Sequence, residues 1–304
     1  MALINSGSFA KALWPGVNAW YGKAYDQYPV EYTKLFDKFT STRQFEEDVG
    51  ISSAGLLSVK TEGGPVTYDS ERQTFTTRYT HVVYASGFII TREIMDDDQY
   101  DIVGKNKAEG LAFAARQTKE IVAANIYNKA FTGAGNPTYG DGQVLLSAAH
   151  PNFAGGTQSN LIGTTSDLSE AALEQACIDI AGFQNDRGLL IAVRPQSLII
   201  PRQLMFEAKR ILGSDFRVGT DANDVNAIKA MGMIPEVVTS HFLTDTDAWF
   251  IRTDIKNGMK YFERNADSFD MDNDFDTENA KFKVRGRYSF GNTDWRAIYG
   301  SQGA

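Results

Sequence analysis

The chain has 304 residues, 42% of them apolar and 22% charged, with a formal net charge of −8. That apolar content suffices for one large or two ordinary packed domains and excludes a disordered chain. The acidic balance argues against a reader of nucleic-acid sequence, which presents a basic patch, but leaves room for a protein that encloses nucleic acid without gripping it.

The N-terminal stretch shows neither an uninterrupted apolar signal region nor a cleavage site, and no segment approaches the ~20 apolar residues of a membrane span. Residues 1–50 read as an irregular arm with one short helix ending before Pro15. Its aromatic series, Trp20, Tyr21, Tyr25, Tyr28, Tyr32 and Phe36, predicts that the arm lies against the body of this chain or of a neighbour. Next, "LLSVK" (56–60) reads as a strand and "QTFTTRYTHVVYASGFIIT" (73–91) as a long one, with Phe75, Thr77, Tyr79, His81 and Val83 on one face at period two. The turn-rich "TEGGPVTYDSER" between them makes the unit a hairpin-like excursion. Such an arm is marginal alone and presents open edges, so it calls for a partner.

"MDDDQYD" (95–101) reads as an acidic helix start, favoured by the positive end of the helix dipole. The proline-free run from Ile102 to Phe131 follows, with Leu111, Ala115, Thr118, Val122 and Ile126 on one face. It predicts a rod of about 45 Å, a structural spine more than part of a compact enzyme. Residues 132–168 are rich in loop residues. From Ser169 the pattern alternates: a capped amphipathic helix in "SEAALEQACIDIAGFQND", short buried strands in "LLIAVRPQSLIIP", a helix in "RQLMFEAKRILGS", and strands in "PEVVTSHFL", "DAWFIRTD" and "MKYFER". The single cysteine, Cys177, lies in the first of these helices. It excludes an internal disulfide, fits a reducing compartment and reads as buried and inert. The expected class is α+β.

Several motifs offer candidate chemistry. Ser147 stands three residues before His150 in "GQVLLSAAHPNFAGG". A nucleophile and its base must meet and be oriented by a third group, and a hydrolase elbow would read G-x-S-x-G instead of "LLSAA". Pro151 pushes His150 to extended geometry, so the favoured reading is a turn with His150 bonded to loop backbone. The other histidines, His81 and His241, lack zinc spacing. "TGAGNPTYG" has Gly133 and Gly135, but Thr138 stands where a dinucleotide loop needs its third glycine. Asp270, Asp272 and Asp274 match the first positions of a calcium loop, yet Phe275 and Lys281 occupy its required glycine and glutamate. No metal and no cofactor are expected.

The same stretch reads better as two strands. Asp270, Asp272, Asp274 and Asp276 form an acidic face, and Lys281, Lys283, Arg285 and Arg287 a basic one. A turn at 277–280 would set Asp276 against Lys281, Asp274 against Lys283, Asp272 against Arg285 and Asp270 against Arg287, with Phe275 on Phe282 and Phe269 on Tyr288. Pairing of the two strands between subunits is the rival.

In order, "GFIITREIMDDDQYDIV", "LLSAAHPNFAGG", "RPQSLIIPRQLMFEAKRIL", "DAWFI" and "RGRYSFGNTDWRAIYGS" resemble the major capsid proteins of tailed bacteriophages, with the Hong Kong 97-type shell fold, over nearly the whole chain. The resemblance implies an N-terminal arm (1–50), an extended β-loop (51–94), and a peripheral domain (95–168) on a spine helix (102–131). It also implies an axial α/β domain (169–262) and C-terminal strands completing both (263–304). It further implies a non-enzymatic protein that closes as hexamers and pentamers, in an icosahedral or prolate shell around double-stranded DNA, assembled in the host cytoplasm. The implied partners are its own copies, a portal, possibly a decoration protein, and a separate scaffolding protein, since the arm begins almost at Met1. Assembly contacts are expected in the extended loop at Lys60, Glu62, Gly63, Gly64 and Tyr68, with Lys60 the candidate for any cross-link. The alternatives are the shell of a bacterial nanocompartment of the same fold, and a hydrolase using Ser147 and His150.

Overall fold

The computed structural model describes residues 10–96, 100–133, 140–152, 155–216, 224–274 and 279–304. The arm forms helix α1 (Ala10–Gln27), the single turn α2 (Tyr32–Leu35) and strand β1 (Asp37–Thr40). Helix α1 runs through Pro15 instead of ending before it. Proline deletes one helical hydrogen bond, and the packing of the following turns offsets the loss: Val17, Tyr21 and Ala24, one helical face, are buried. The arm aromatics pack on this chain's own body. Tyr21 stacks on Phe269 at 4.4 Å, Tyr28 meets Phe113 at 5.0 Å, and Tyr32 and Phe36 meet Phe290 edge-on.

Strand β2 (Phe45–Ile51) pairs antiparallel with β3 (Gln73–Thr80), and β4 (Val82–Ile90) follows. Two expectations change here. "LLSVK" is not a strand; the partner of β3 is the upstream segment Phe45–Ile51. Leu56, Leu57 and Val59 find nothing in this chain to bury against, so alternation alone does not make them a strand. The long strand 73–91 also breaks at His81 into two strands of different sheets. The His81 ring is buried between Ser289 Oγ (2.9 Å) and Ser41 Oγ (3.0 Å).

Helix α3 (Arg92–Asp96) precedes the spine helix α4 (Tyr100–Asn128); Asp97–Gln99, part of the acidic start, lie outside the described residues. The short strands β5 (His150–Pro151) and β6 (Thr157–Gln158) pair with each other. Helix α5 (Glu170–Ala181) begins at Ser169, whose Oγ accepts the Ala172 N–H at 3.2 Å. Then come β7 (Pro195–Pro201), a 3₁₀ turn at Arg202–Leu204, α6 (Met205–Gly213) and α7 (Ala227–Met231). Strands β8 (Glu236–Ser240), β9 (Trp249–Thr253), β10 (Met259–Asn273), β11 (Ala280–Asn292) and β12 (Ile298–Ser301) complete the chain.

The class is α+β, built on two four-stranded sheets. The first has the order β1-β10-β11-β4, with α1 and α4 on its buried side. The second has the order β12-β9-β7-β8. One face of it, with Leu198, Ile200, Trp249 and Ile251, is covered by α5, α6 and α7. The other face, with Ile199 and Phe250, joins Tyr127, Tyr261 and Phe290 in a core shared with the first sheet. The centres of β7 and β9 are therefore buried on both faces, which is why Leu198–Ile200 and Trp249–Ile251 read as short continuous apolar runs.

Candidate functional site

Between β2 and β3, residues 52–72 carry no regular secondary structure beyond one turn. The Gly64 N–H bonds Thr61 O at 3.0 Å and Gly63 sits at φ 74°, a left-handed geometry that suits glycine. Lys60, Glu62 and Gly63 are exposed around this turn and Gly64 is half-buried. Leu57, Val59 and Tyr68 are 99%, 96% and 91% exposed, and Leu56 and Val66 are exposed beside them. Isolated exposed apolar side chains are ordinary, but five on one short segment make an apolar surface that this chain leaves uncovered.

The base of this loop is fastened to the body. Ser52 N donates to Arg72 O (2.8 Å), Arg72 N to Ser52 Oγ (2.9 Å), and Gly55 N to Asp69 Oδ2 (2.7 Å). Arg187 grips the returning leg twice, through Asp69 Oδ1 (3.0 Å) and Ser70 O (2.8 Å), and Ser53 N donates to Asp186 Oδ1 at 3.1 Å. The N–H groups of Gly55 and Ser70, and then Arg187, hold the Asp69 carboxyl below the usual range. Asn185 Oδ1 builds the turn that presents Asp186 and Arg187 by accepting the N–H groups of Arg187 and Leu189. Sequence reasoning missed this clasp. "NDRG" signals a turn, but nothing in it names a partner 118 positions away.

The charged strands form a hairpin within one chain, in a different register from the expected one. Asp270 faces Lys283 and Asp272 faces Lys281, while Ser268 faces Arg285 and Asn265 faces Arg287. On the inner side Met271 meets Phe282 and Phe269 meets Val284, not Tyr288. The connection starts earlier, with Asp274 N bonded to Asn279 O at 3.0 Å and the Asp274 carboxylate paired to Lys281. Phe275 and Asp276 lie outside the described residues. From Ser268 to Asn273, each residue of β10 thus meets a partner four positions earlier on β11 than expected. An even displacement keeps acid on base and apolar on apolar, so side-chain alternation cannot distinguish the two registers. Asp272→Lys is expected to lower the stability of the unassembled subunit by about 0.2–1 kcal/mol, and adding Lys281→Asp to recover it in denaturant unfolding. No recovery would mean that the pair does not help to set the register.

Ser147 and His150 do not form a nucleophile and base. His150 is buried, its ring stacked 4.7 Å from Trp295 and its nitrogens engaged by Asp141 Oδ2 (2.6 Å) and Asn160 Oδ1 (3.1 Å). These partners are side chains, not the loop backbone expected from the sequence. Burial works against the Asp141 charge, but His150 and the Gln143 N–H hold its carboxyl below the usual range. Asn160 also accepts Ser147 N at 2.9 Å and donates to the carbonyls of Leu145, Trp295 and Ile298. Ser147 Oγ accepts the Ala149 N–H at 3.2 Å. The constellation pins the loop to β12. Ser147→Ala is expected to change stability by less than ~0.5 kcal/mol, and His150→Ala to cost about 1–3 kcal/mol by removing the partner of Asp141 Oδ2 and the ring stacked on Trp295. Neither is expected to alter any hydrolytic rate; ester turnover abolished by Ser147→Ala would reverse this assignment.

Beneath α1 lies a buried charged node. Lys119 Nζ on α4 is 2.8 Å from Asp267 Oδ2 and 3.6 Å from Glu263 Oε1, and Tyr25 OH on α1 donates to Asp267 at 2.5 Å. At the next position of α4, buried Glu120 accepts the N–H groups of Glu31 (2.9 Å) and Tyr32 (3.0 Å). Burial pushes its carboxyl up to about 7 against the pull of those two donors. The arm is therefore tied to the spine by polar groups that water does not reach.

A family model described as phage capsid protein matches residues 73–301. The chain belongs to the phage capsid protein family. No curated protein matches it. Among solved structures, the procapsid of bacteriophage JBD30 is 14% identical with a TM-score of 0.54, the match covering 97% of this chain and 75% of that one. The capsid of the native GTA particle is 13% identical with a TM-score of 0.56, covering 90% of each chain. The virus-like particle from Pyrococcus furiosus is 11% identical with a TM-score of 0.53, covering 93% and 96%. The capsid protein is accordingly a structural shell protein of the virion and not an enzyme. Among the described residues, no helix of the capsid protein is long and apolar enough to cross a membrane.

Proposed function

We propose that the capsid protein closes as hexamers and pentamers into an icosahedral or prolate shell around double-stranded DNA. In this reading the extended loop, residues 51–94, is the arm that each copy lays on its neighbour, with Lys60, Glu62, Gly63, Gly64 and Tyr68 at or near the contact. The single observation that carries it is the exposed apolar series Leu56, Leu57, Val59, Val66 and Tyr68, held at a fastened base yet uncovered by its own chain. Residues 1–50 act as the arm, 95–168 as the peripheral domain, 169–262 as the axial domain, and 263–304 as the strands that complete both. A scaffolding protein, a portal and a decoration protein are the partners that the family resemblance implies, and DNA is enclosed without sequence-specific contacts. Electron microscopy of the protein expressed with its scaffold, followed by nuclease digestion of purified virions, tests this reading. Closed particles protecting double-stranded DNA support it, and subunits that never close overturn it. Likeness to the virus-like particle from Pyrococcus furiosus favours a second reading, a shell holding protein cargo. Protein in place of DNA inside the particles would select that one.

A further inference from the structure

The second sheet carries two unlike surfaces on its opposite edges. Strand β8 is an edge strand, paired only with β7, and α6 runs beside it. Between them lies an open groove of about 450 Å³ lined by Met205, Phe206, Leu212, Pro235 and Val237, with Lys209 beside it. Phe206 is 70% exposed there. Helix α5 lies at the far edge, over β12, where Tyr299 OH donates to Asp179. The outer ridge of α5, at helical spacing, is Ala171, Gln175, Ile178 and Ala181, with Ile178 65% exposed between Gln175 and Ala181. The two edges differ in charge as well. Helix α5 contains Glu170, Glu174 and Asp179 and no basic residue, whereas the segment Arg202–Gly213 contains Arg202, Lys209 and Arg210 against one acid, Glu207.

We infer that the α6–β8 groove of one copy receives the α5 ridge of the next copy in a ring. The inference rests on the shell reading above and adds the residues that join ring neighbours through this sheet. A ring closed by rotation needs a heterologous contact, in which one surface meets a different surface of the next copy. The two edges satisfy that requirement: one is concave, apolar and basic, the other convex, with an apolar knob and acidic flanks. Opposite charge brings the edges together in the correct order, and the same charges disfavour groove on groove or ridge on ridge. A helix laid into an apolar groove along its i, i+4, i+7 side chains is a common mode of recognition.

The test uses assembled particles of full-length protein carrying Phe206→Cys and Ile178→Cys, treated with a short bismaleimide. Both side chains are exposed, so the subunit keeps its fold, and Cys177 is buried in the wild type. The double variant is expected to give a ladder of covalent oligomers on a denaturing gel, and each single variant to remain monomeric. Monomer alone from intact double-variant particles overturns the inference. So does a covalent dimer from Phe206→Cys alone, which would mean groove on groove. As a second measurement, Lys209→Glu is expected to reduce particle yield and Glu174→Lys in the same chain to regain part of it; a yield unmoved by Lys209→Glu counts against the contact. Wild-type protein that forms no particle sinks the shell reading itself, a failure distinct from unlinked particles.

Discussion

Replacing Leu56–Tyr68 with two glycines is expected to leave a folded subunit and to abolish particle formation. The fold survives because the removed residues contribute nothing to the cores: Leu57, Val59 and Tyr68 are more than 90% exposed. The ends already meet, since Gly55 N bonds Asp69 Oδ2 at 2.7 Å, and Arg187 still holds Asp69 and Ser70. Assembly fails because the apolar surface of the arm goes with the deletion. Fully burying a leucine- or valine-sized side chain is worth about 1.5–3 kcal/mol, so five such groups supply a large share of what a subunit contact needs to overcome its ordering cost. Circular dichroism and thermal melting check the fold, and electron microscopy of the co-expressed variant checks assembly. Normal particles would mean that this loop is not an assembly element. A subunit that no longer melts cooperatively would mean that the loop stabilises its own chain.

The parts of the fold legible in the sequence are those where side-chain pattern and burial coincide. Helix α5 shows its Ser169 cap, and the centres of β7 and β9 show short continuous apolar runs because both their faces are covered. Three features were not legible. The buried face of α4 includes Lys119 and Glu120, which a hydropathy stripe assigns to solvent. They are inside because Asp267, Glu263 and the backbone of the arm satisfy them, and those partners lie far away in sequence. The β10–β11 register was misplaced because alternation fixes the parity of a pairing and not its offset. The clasp on the extended loop was missed because each half looks like an ordinary polar turn. In the first and third, long-range polar partners decided the placement; in the second it was where the connection begins, at Asp274 N bonded to Asn279 O.

Lys119→Met is expected to cost the subunit about 3–5 kcal/mol at neutral pH, the usual consequence of removing one partner from a buried ion pair. Lys119 is 2% exposed and sits between two carboxylates, those of Asp267 and Glu263. The backbone is built around this arrangement. Register shifts in β10 between Glu263 and Asn265 and between Asn265 and Ser268 interrupt the alternation next to Asp267. Opposite it, β11 has Gly286, where a Cβ would come within 2.0 Å of Asp267 Oδ1. Methionine keeps most of the aliphatic length of lysine and removes its charge and its N–H donors, so most of the packing stays and Asp267 keeps the Tyr25 hydroxyl but loses its buried cation. Adding Asp267→Asn removes the stranded charge, and the double variant is expected to be more stable than Lys119→Met. The pH dependence follows from Glu263. Burial would raise its pKa, but hydrogen bonds from Lys38 and Tyr261, then the charge of Lys119, hold it below the ordinary 4.5. A depressed carboxylate contributes stability above its unfolded pKa and loses it as pH falls through the folded one. The difference between wild type and Lys119→Met should therefore be full at pH 7 and shrink on acidification below about 4.5. Denaturant melts of unassembled subunits at both pH values measure it. A loss below about 1 kcal/mol at pH 7, the range of an exposed pair, would show that water reaches the node and that the arm is held to the spine by its aromatic contacts instead.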